Sequence, residues 1–490
     1  MAVWPAALLL VFLAGIARLT RALAGEAAAR LALIFAALMA PVLQHFRPGA
    51  VDYHNAQLAL LVWSLVFALR PQPRDAALAG TACALSIAIG VDVAPAIAVL
   101  AAAMALRWAL LGDAVRPATA AFALAFAAVT ITVFIATVAP ADYTVPACDA
   151  LSMVQMTMVG IGGGGLALLT TTPGLASPAT RLAGLALLGM LVGATVALAF
   201  PACLGDPYLQ VDARLAALWL DHVTEARSIV ALLHDLPQDV LPYYGLVAGA
   251  LALGVHRCLR ERGEARAPWI ICLAVLAALT TMALWQMCSV AAANALAAAM
   301  VPAAMVRALD VQGGRVSFLG LGRAALAAAL IANPLSLIVI GAGAARAFEA
   351  ASGLERPLVI ADGPGTCRRL ADYAPLASLS PGIVVAFIDA GPFILLETPH
   401  AALGAPYHRN VKGNAVTLDI FLSPARKALT RLESLDVACV AFCPGSPERY
   451  TYAAVAPDGL AAALSRGAIS DRLERIPLDG TDLAVYRPRR

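Results

Sequence analysis

Apolar runs long enough to cross ~30 Å of hydrocarbon recur from the first residues down to about Ala344, and they restrict the fold more than any other feature. They lie near Val3–Ala17, Ala27–Gln44, Ala56–Leu69, Ala76–Gly90, Pro95–Leu111, Ala118–Ala139, Leu151–Leu169, Leu182–Phe200, Leu241–Val255, Trp269–Leu284, Val290–Val306 and Ala324–Ala344. Their Ala and Leu content favours helix, and their small residues let membrane helices approach closely. Only 13% of the residues are charged and 61% are hydrophobic, too little charge to cover a water-facing surface. A polytopic α-helical membrane protein of about twelve transmembrane helices is therefore expected. The net charge of +3 gives no reason to expect a nucleic-acid partner.

Arginine sets the orientation. With the first residues outside, the cytoplasmic segments hold Arg18, Arg21, Arg30, Arg70, Arg74, Arg107, Arg116, Arg181, Arg257, Arg260, Arg262, Arg266, Arg307, Arg315 and Arg323. The outer loops of the membrane region hold Arg47, Arg214 and Arg227, a strong positive-inside bias. This orientation requires the break at Gly90–Pro95 to be an outer turn between two helices; one kinked helix there would change the parity. The first run has no cation before it, unlike a cleavable leader, and enters from outside, which predicts a further helix upstream of Met1. From Arg346 onward strand-like runs (Ile383–Ile388, Val437–Phe442) alternate with helical stretches near Val416–Phe421, Ala425–Leu435 and Asp458–Leu464. The expected division is a membrane domain, 1–346, and a C-terminal periplasmic α/β domain, 347–490.

Six of the seven histidines, His45, His54, His222, His234, His400 and His408, fall on the outer side, and only His256 is cytoplasmic. That suggests an outer active face, against the plainer reading that loops are polar. Three outer segments gather candidate groups. In Arg47-Pro48-Gly49-Ala50-Val51-Asp52-Tyr53-His54-Asn55, Asp52 and His54 share a side of an extended backbone and can ligate a divalent cation, or Asp52 simply caps the next helix. In Trp219-Leu220-Asp221-His222-Val223-Thr224-Glu225, Asp221 and Glu225 share a helix face, either functional or the solvated side of a helix lying on the bilayer. In the C-terminal domain, Asp389-Ala390-Gly391-Pro392 follows a strand, and His400 and Pro406-Tyr407-His408-Arg409-Asn410 come later, with Arg409 suited to a phosphate.

Two features invite the wrong chemistry. Gly160-Ile161-Gly162-Gly163-Gly164-Gly165 lacks the Gly-Lys-Ser/Thr of a phosphate loop and sits in a membrane span, so helix packing or a kink explains it. Cys439 and Cys443 lack partners for zinc. An outer location allows one disulfide among Cys367, Cys439 and Cys443, and another between Cys148 and Cys203.

In this order the motifs resemble the GT-C membrane glycosyltransferases, above all a group of bacterial proteins related to the catalytic subunit of oligosaccharyltransferase. Asp52-Tyr53-His54 is similar to that family's Asp-x-Glu or Asp-x-His element, and His222-Val223-Thr224-Glu225 to its x-Val-x-Glu loop motif. Asp389-Ala390-Gly391 looks like its acceptor-recognising Asp-Tyr-Gly element without the preceding tryptophans, and Pro406-Tyr407-His408-Arg409-Asn410 is typical of the bacterial group.

The resemblance implies a multi-pass protein of the bacterial inner membrane that transfers sugar from a polyprenyl-phosphate-linked donor at the outer face. A divalent metal, magnesium or manganese, would be held by Asp52, His54 and Glu225. Arg47 and Arg409 would meet the donor phosphate, and His222 or His408 would act as base. Asp389, Gly391, His400 and Asn410 would line an acceptor site of unknown specificity. The chain departs from the family in two places: nothing stands for the acidic first outer loop, and Trp285-Gln286-Met287-Cys288 offers no Arg for the pyrophosphate. A degenerate, non-catalytic homologue and a transporter of lipid-linked sugars are the alternatives. The second would call for a repeated half and ionisable groups at mid-membrane, and neither is visible.

Overall fold

The computed structural model describes residues 3–48, 53–205, 212–308, 334–352, 365–468 and 472–489. These form two units, Met1–Pro207 with Arg227–Arg356, and Tyr208–Ala226 with Pro357–Arg490.

The first unit is helical: α1 (Val3–Ala37), α2 (His54–Ala68), α3 (Pro73–Ile89), α4 (Ala94–Leu111), α5 (Arg116–Thr137), α6 (Met153–Thr171), α7 (Pro178–Ala199), α8 (Pro237–Arg260), α9 (Arg266–Trp285), α10 (Val290–Ala308) and α11 (Pro334–Ser352). The apolar runs coincide with these helices. The first two share α1, which leaves helical geometry at Ala24 and Gly25 (φ +81°) and so is two helices in series. The turn at Gly90–Val93 separates α3 from α4, as the arginine distribution requires. Part of the last run, 324–333, lies outside the described residues.

Among the described residues seven helices are long and apolar enough to cross a membrane, fewer than the twelve expected. Length accounts for part of the difference: the 15 residues of α2 span only ~22 Å at 1.5 Å each.

The centre of this unit is α10, where nearly every side chain from Val290 to Val306 is buried. Its alanines let α1, α8 and α9 pack closely against it. A Cβ on Gly80 of α3 would lie 2.3 Å from the carbonyl of Phe122 in α5, so those backbones touch. The glycine run behaves likewise. It lies within the continuous α6, and a Cβ on Gly163 would come 3.0 Å from the Ala123 carbonyl. Apolar α7 buries no residue, the pattern of a helix that meets lipid. A disulfide joins Cys148 to Cys203.

The second unit is a five-stranded mixed sheet, β1 (Ile383–Ala386), β2 (Ala401–Ala402), β3 (Val437–Phe442), β4 (Leu473–Ile476) and β5 (Ala484–Pro488), in the order β2-β1-β3-β5-β4. β1 runs parallel to β2 and β3, and β5 runs antiparallel to β3 and β4. Its helices are α12 (Gly391–Glu397), α13 (Val411–Leu422), α14 (Ala425–Ser434), α15 (Pro447–Val455) and α16 (Leu460–Ser465). Phe387 anchors the core, with ring centroids 4.8 Å from Phe421, 5.4 Å from Phe442 and 5.5 Å from Tyr452.

The 212–226 segment belongs to this core. Leu215, Leu218, Trp219 and Leu220 are buried with it, and Arg214 pairs with Asp212 and with Asp419 at 2.7 Å. A helix resting its apolar side on a bilayer is therefore not what this segment forms, because protein covers that side. The disulfide is Cys367–Cys443, and Cys439 is left reduced and buried inside β3.

Candidate functional site

In the first unit the polar groups gather at the start of α2. Tyr53 precedes the helix without capping it through its side chain. Its hydroxyl instead donates to Asp92 Oδ2 at 3.0 Å, and His54 Nε2 lies 3.9 Å from the same oxygen. The Tyr53 ring stacks on His54 at 4.2 Å, and the buried His45 ring stands 5.0 Å away. Three bonds brace the cluster. Asn55 Nδ2 donates to the His45 carbonyl, Gln57 Nε2 to the Gly90 carbonyl, and Ser289 Oγ to the Asp92 carbonyl. A Cβ on Gly90 would sit 2.7 Å from the Tyr53 ring and 3.1 Å from Asp92 Oδ2, so glycine is what lets this turn approach.

Sequence reasoning placed Asp92 at the break between helices and weighed it only as the acidic group that a transporter would need, not as a partner of His54. The signal it missed was a carboxylate in a turn that the arginine distribution assigns to the same side as the expected Asp52-Tyr53-His54 loop. Asp52 itself lies outside the described residues, and Arg47 is exposed just after the turn Gln44–Phe46. Among the described residues no three metal-ligating side chains converge.

In the second unit the chain leaves β1 at Ala386 and turns through Ile388–Ala390 into α12. Gly391 is buried, and a Cβ there would meet the Gly404 carbonyl at 2.4 Å and Ala405 at 2.7 Å. Asp389 is exposed, and its Oδ1 accepts from Trp219 Nε1 at 3.1 Å. A tryptophan thus reaches this aspartate after all, from the 212–226 segment.

Behind the turn stands Glu448, in the first turn of α15. Its Oε1 accepts the Ile388 N–H at 2.9 Å and the Tyr452 hydroxyl at 3.1 Å, and its Oε2 accepts the Asp389 N–H at 3.4 Å. The residue as a whole is half-buried, but its carboxyl is enclosed. Burial first, and the Asp389 charge second, push its pKa up to about 8. A cavity of about 360 Å³ opens here, lined by Thr366, Arg368, Tyr373, Asp389, Phe393 and Glu448 among others. Buried Tyr373 stacks on Phe393 at 5.2 Å, and burial raises its phenol pKa.

The other expected residues are dispersed. His400 is buried: Nδ1 accepts the Gly382 N–H and Nε2 donates to the Leu376 carbonyl, so both nitrogens serve the backbone. Asn410 donates to the Leu403 carbonyl and to Asn414 Oδ1. Fully buried Asn414, unremarked in the sequence, also takes the Ala405 N–H and donates to the Tyr407 carbonyl, so it knits the 403–410 loop. His408 is half-buried and Arg409 exposed in that loop. His222 and Glu225 are exposed in consecutive 3-10 turns of the second unit.

The fold of this chain, its helical unit and its sheet unit both, is found among solved structures. Three structures of the oligosaccharyltransferase of Archaeoglobus fulgidus share it. The AglB complex with an inhibitory peptide and a dolichol-phosphate matches 94% of this chain and 60% of its own, with TM-score 0.61 and 15% identity. The apo form matches 94% and 61%, with TM-score 0.62 and 16% identity. The complex with zinc and sulfate matches 100% and 61%, with TM-score 0.61 and 16% identity. The chain thus spans about three fifths of the length of these structures. No family model matches the sequence, and no curated protein does. The expected likeness to the oligosaccharyltransferase catalytic subunit is met in the fold.

Proposed function

We propose that this chain is a membrane glycosyltransferase that takes sugar from a polyprenyl-phosphate-linked donor at the outer face of a bacterial inner membrane. The observation that carries the reading is a fold likeness that runs through both the helical unit and the sheet unit. The two disulfides support an outer location, since such bonds persist in oxidising compartments. In this reading the chain crosses the membrane about twelve times, shorter helices such as α2 included, and the second unit is periplasmic.

Arg47 and Arg409 would grip the donor phosphate, and His222 or His408 would take the acceptor proton. Asp389, Gly391 and Asn410 would form the acceptor side: Asp389 as the contacting group, Gly391 and Asn410 as residues that shape the adjoining loops. His400, committed to two backbone groups, has no part in it. The neighbour's inhibitory peptide makes a peptide the first acceptor to try.

Asp52, His54 and Glu225 are the proposed ligands of a divalent cation. The described residues fit such a site only in part: His54 and Asp92 lie close together with the His45 ring beside His54, but among the described residues no three ligating side chains are placed to hold a metal. An imidazole in the set suits manganese better than magnesium. When bound, the cation would supply positive charge to the leaving phosphate.

The test uses the full chain in lipid nanodiscs with a polyprenyl-phosphate-linked sugar, a peptide acceptor and manganese. Free polyprenyl phosphate is followed by mass spectrometry. Transfer is expected from the unaltered chain, and Asp52→Asn and Glu225→Gln should lower it by at least about 10–100-fold. Release that is absent, or equal in all three proteins, supports the non-catalytic homologue instead.

A further inference from the structure

The turn that carries Asp389 has lost its strand partners. The β1–β3 pairing ends at Ala386, so the N–H groups of Ile388 and Asp389 need acceptors from elsewhere. Both find them on one side chain, Glu448, from a helix that none of the sequence motifs touches. We propose that Glu448 is a positioning residue: by accepting these two consecutive N–H groups it fixes where the Asp389 carboxylate meets a ligand in the adjoining cavity. The clamp stands on its own geometry; only its effect on an acceptor rests on the function proposed above.

Three independent contacts leave the turn one position. Glu448 holds its backbone from behind, Trp219 Nε1 holds the carboxylate itself, and Gly391 seats the next residue against Gly404 and Ala405 too closely for any side chain. Glu448 and Asp389 both line the cavity, so a shift of one displaces the wall formed by the other.

The charge state fits the task. Glu448 faces Tyr452 on its own helix, Asp389 on the turn, and the Tyr373 phenol, with Arg368 and Asp372 beyond it; the neighbouring Cys367–Cys443 disulfide does not titrate. Two of these groups, Asp389 and Asp372, are carboxylates, and an ionised Glu448 would repel the residue it holds. With its pKa raised to about 8 it is mostly neutral at pH 7. Its carbonyl oxygen, the better acceptor in a neutral acid, corresponds to Oε1, which carries two of the three bonds. Above about pH 8 it ionises, and repulsion moves the Asp389 carboxylate relative to Trp219.

The indole N–H of Trp219 reports this directly, without ligand or turnover. The full chain, labelled with ¹⁵N at its six tryptophans, is placed in nanodiscs, and the Trp219 signal is assigned by Trp219→Phe. Its indole resonance is expected to titrate with a midpoint near pH 8. Glu448→Gln keeps an Oε1 acceptor for the Ile388 N–H, turns an amide donor toward the Asp389 N–H and cannot ionise, so its signal should sit at a position of its own and stay there at every pH. Glu448→Ala should shift or broaden it at every pH while the other indoles keep their places. An indole that titrates alike in wild type and Glu448→Gln overturns the proposal.

In the transfer assay Glu448→Ala should raise the KM for acceptor severalfold more than it lowers kcat, with Glu448→Gln restoring part of the loss at pH 7 through the Oε1 bonds that it keeps. Indole shifts as expected with no transfer by any protein would refute the glycosyltransferase reading and leave the clamp standing. Transfer with unaltered indole signals would refute the clamp alone.

Discussion

One methyl group at Gly391 tests whether the Asp389 turn is as tightly seated as its contacts imply. In Gly391→Ala the new Cβ would meet the Gly404 carbonyl at 2.4 Å and the Cα and Cβ of Ala405 at 2.7 Å. Two of these are backbone atoms and the third is fixed to the backbone, so no side chain can swing aside. Overpacking of this kind costs about 1–3 kcal/mol. Since each 1.4 kcal/mol is a factor of ten, amide protection in the central strands β1 and β3 should fall by about 5- to 150-fold. The assay is hydrogen exchange with mass spectrometry on the full chain in nanodiscs, following peptides over 383–386 and 437–442. Gly189→Ala is the control, because its Cβ would point into open space within a helix. Unchanged protection in Gly391→Ala would mean that the 404–405 segment yields freely, and the single-position argument for the turn would fail.

Glu448 should also tilt stability with pH. Its proton is held more tightly folded, at about 8, than at the ordinary 4.5 of an unfolded chain, so its contribution is complete below about pH 4.5 and lost as pH rises through 8. Urea unfolding of the second unit, followed by exchange, should show that downward slope in wild type and a flatter line in Glu448→Gln. Replacing the Cys367–Cys443 disulfide with serines should cost the second unit about 2–5 kcal/mol on the same assay. Asn414→Ala strands the Ala405 N–H and should cost about 1–3 kcal/mol, and Asn414→Asp, which keeps that acceptor but sets a buried carboxylate oxygen against the Tyr407 carbonyl, should cost no less.

Much of the fold was legible because membrane helices and buried strands both announce themselves as apolar runs. The turn at Gly90–Val93 and the strands around Val384 and Val440 follow from local composition. What stayed hidden depends on partners distant in sequence. The apolar residues of 212–226 read equally well as bilayer-facing until the core they enter is seen. β4 and β5 are short and carry charge, Leu473-Glu474-Arg475-Ile476 for example, so they offer no continuous apolar signal. The site was half legible. Asp389 and Gly391 stand out after a strand, but an acid in a helix's first turn, as Glu448 is, looks like ordinary dipole complementation. His400 was expected to line an acceptor site, yet its ring closes a gap between two backbone segments.

The membership of 212–226 in the second unit also sets a clock on biogenesis. Leu220 and Phe442 share a core but are made 222 residues apart, counting 442 − 220. At about 5–20 residues per second, the ribosome needs about 11–44 s to deliver the later partner. For that interval Leu215, Leu218, Trp219 and Leu220 wait without their sheet, and the helices from α8 onward are synthesised meanwhile. Slowing translation beyond α8 would therefore lengthen that wait rather than help the segment fold.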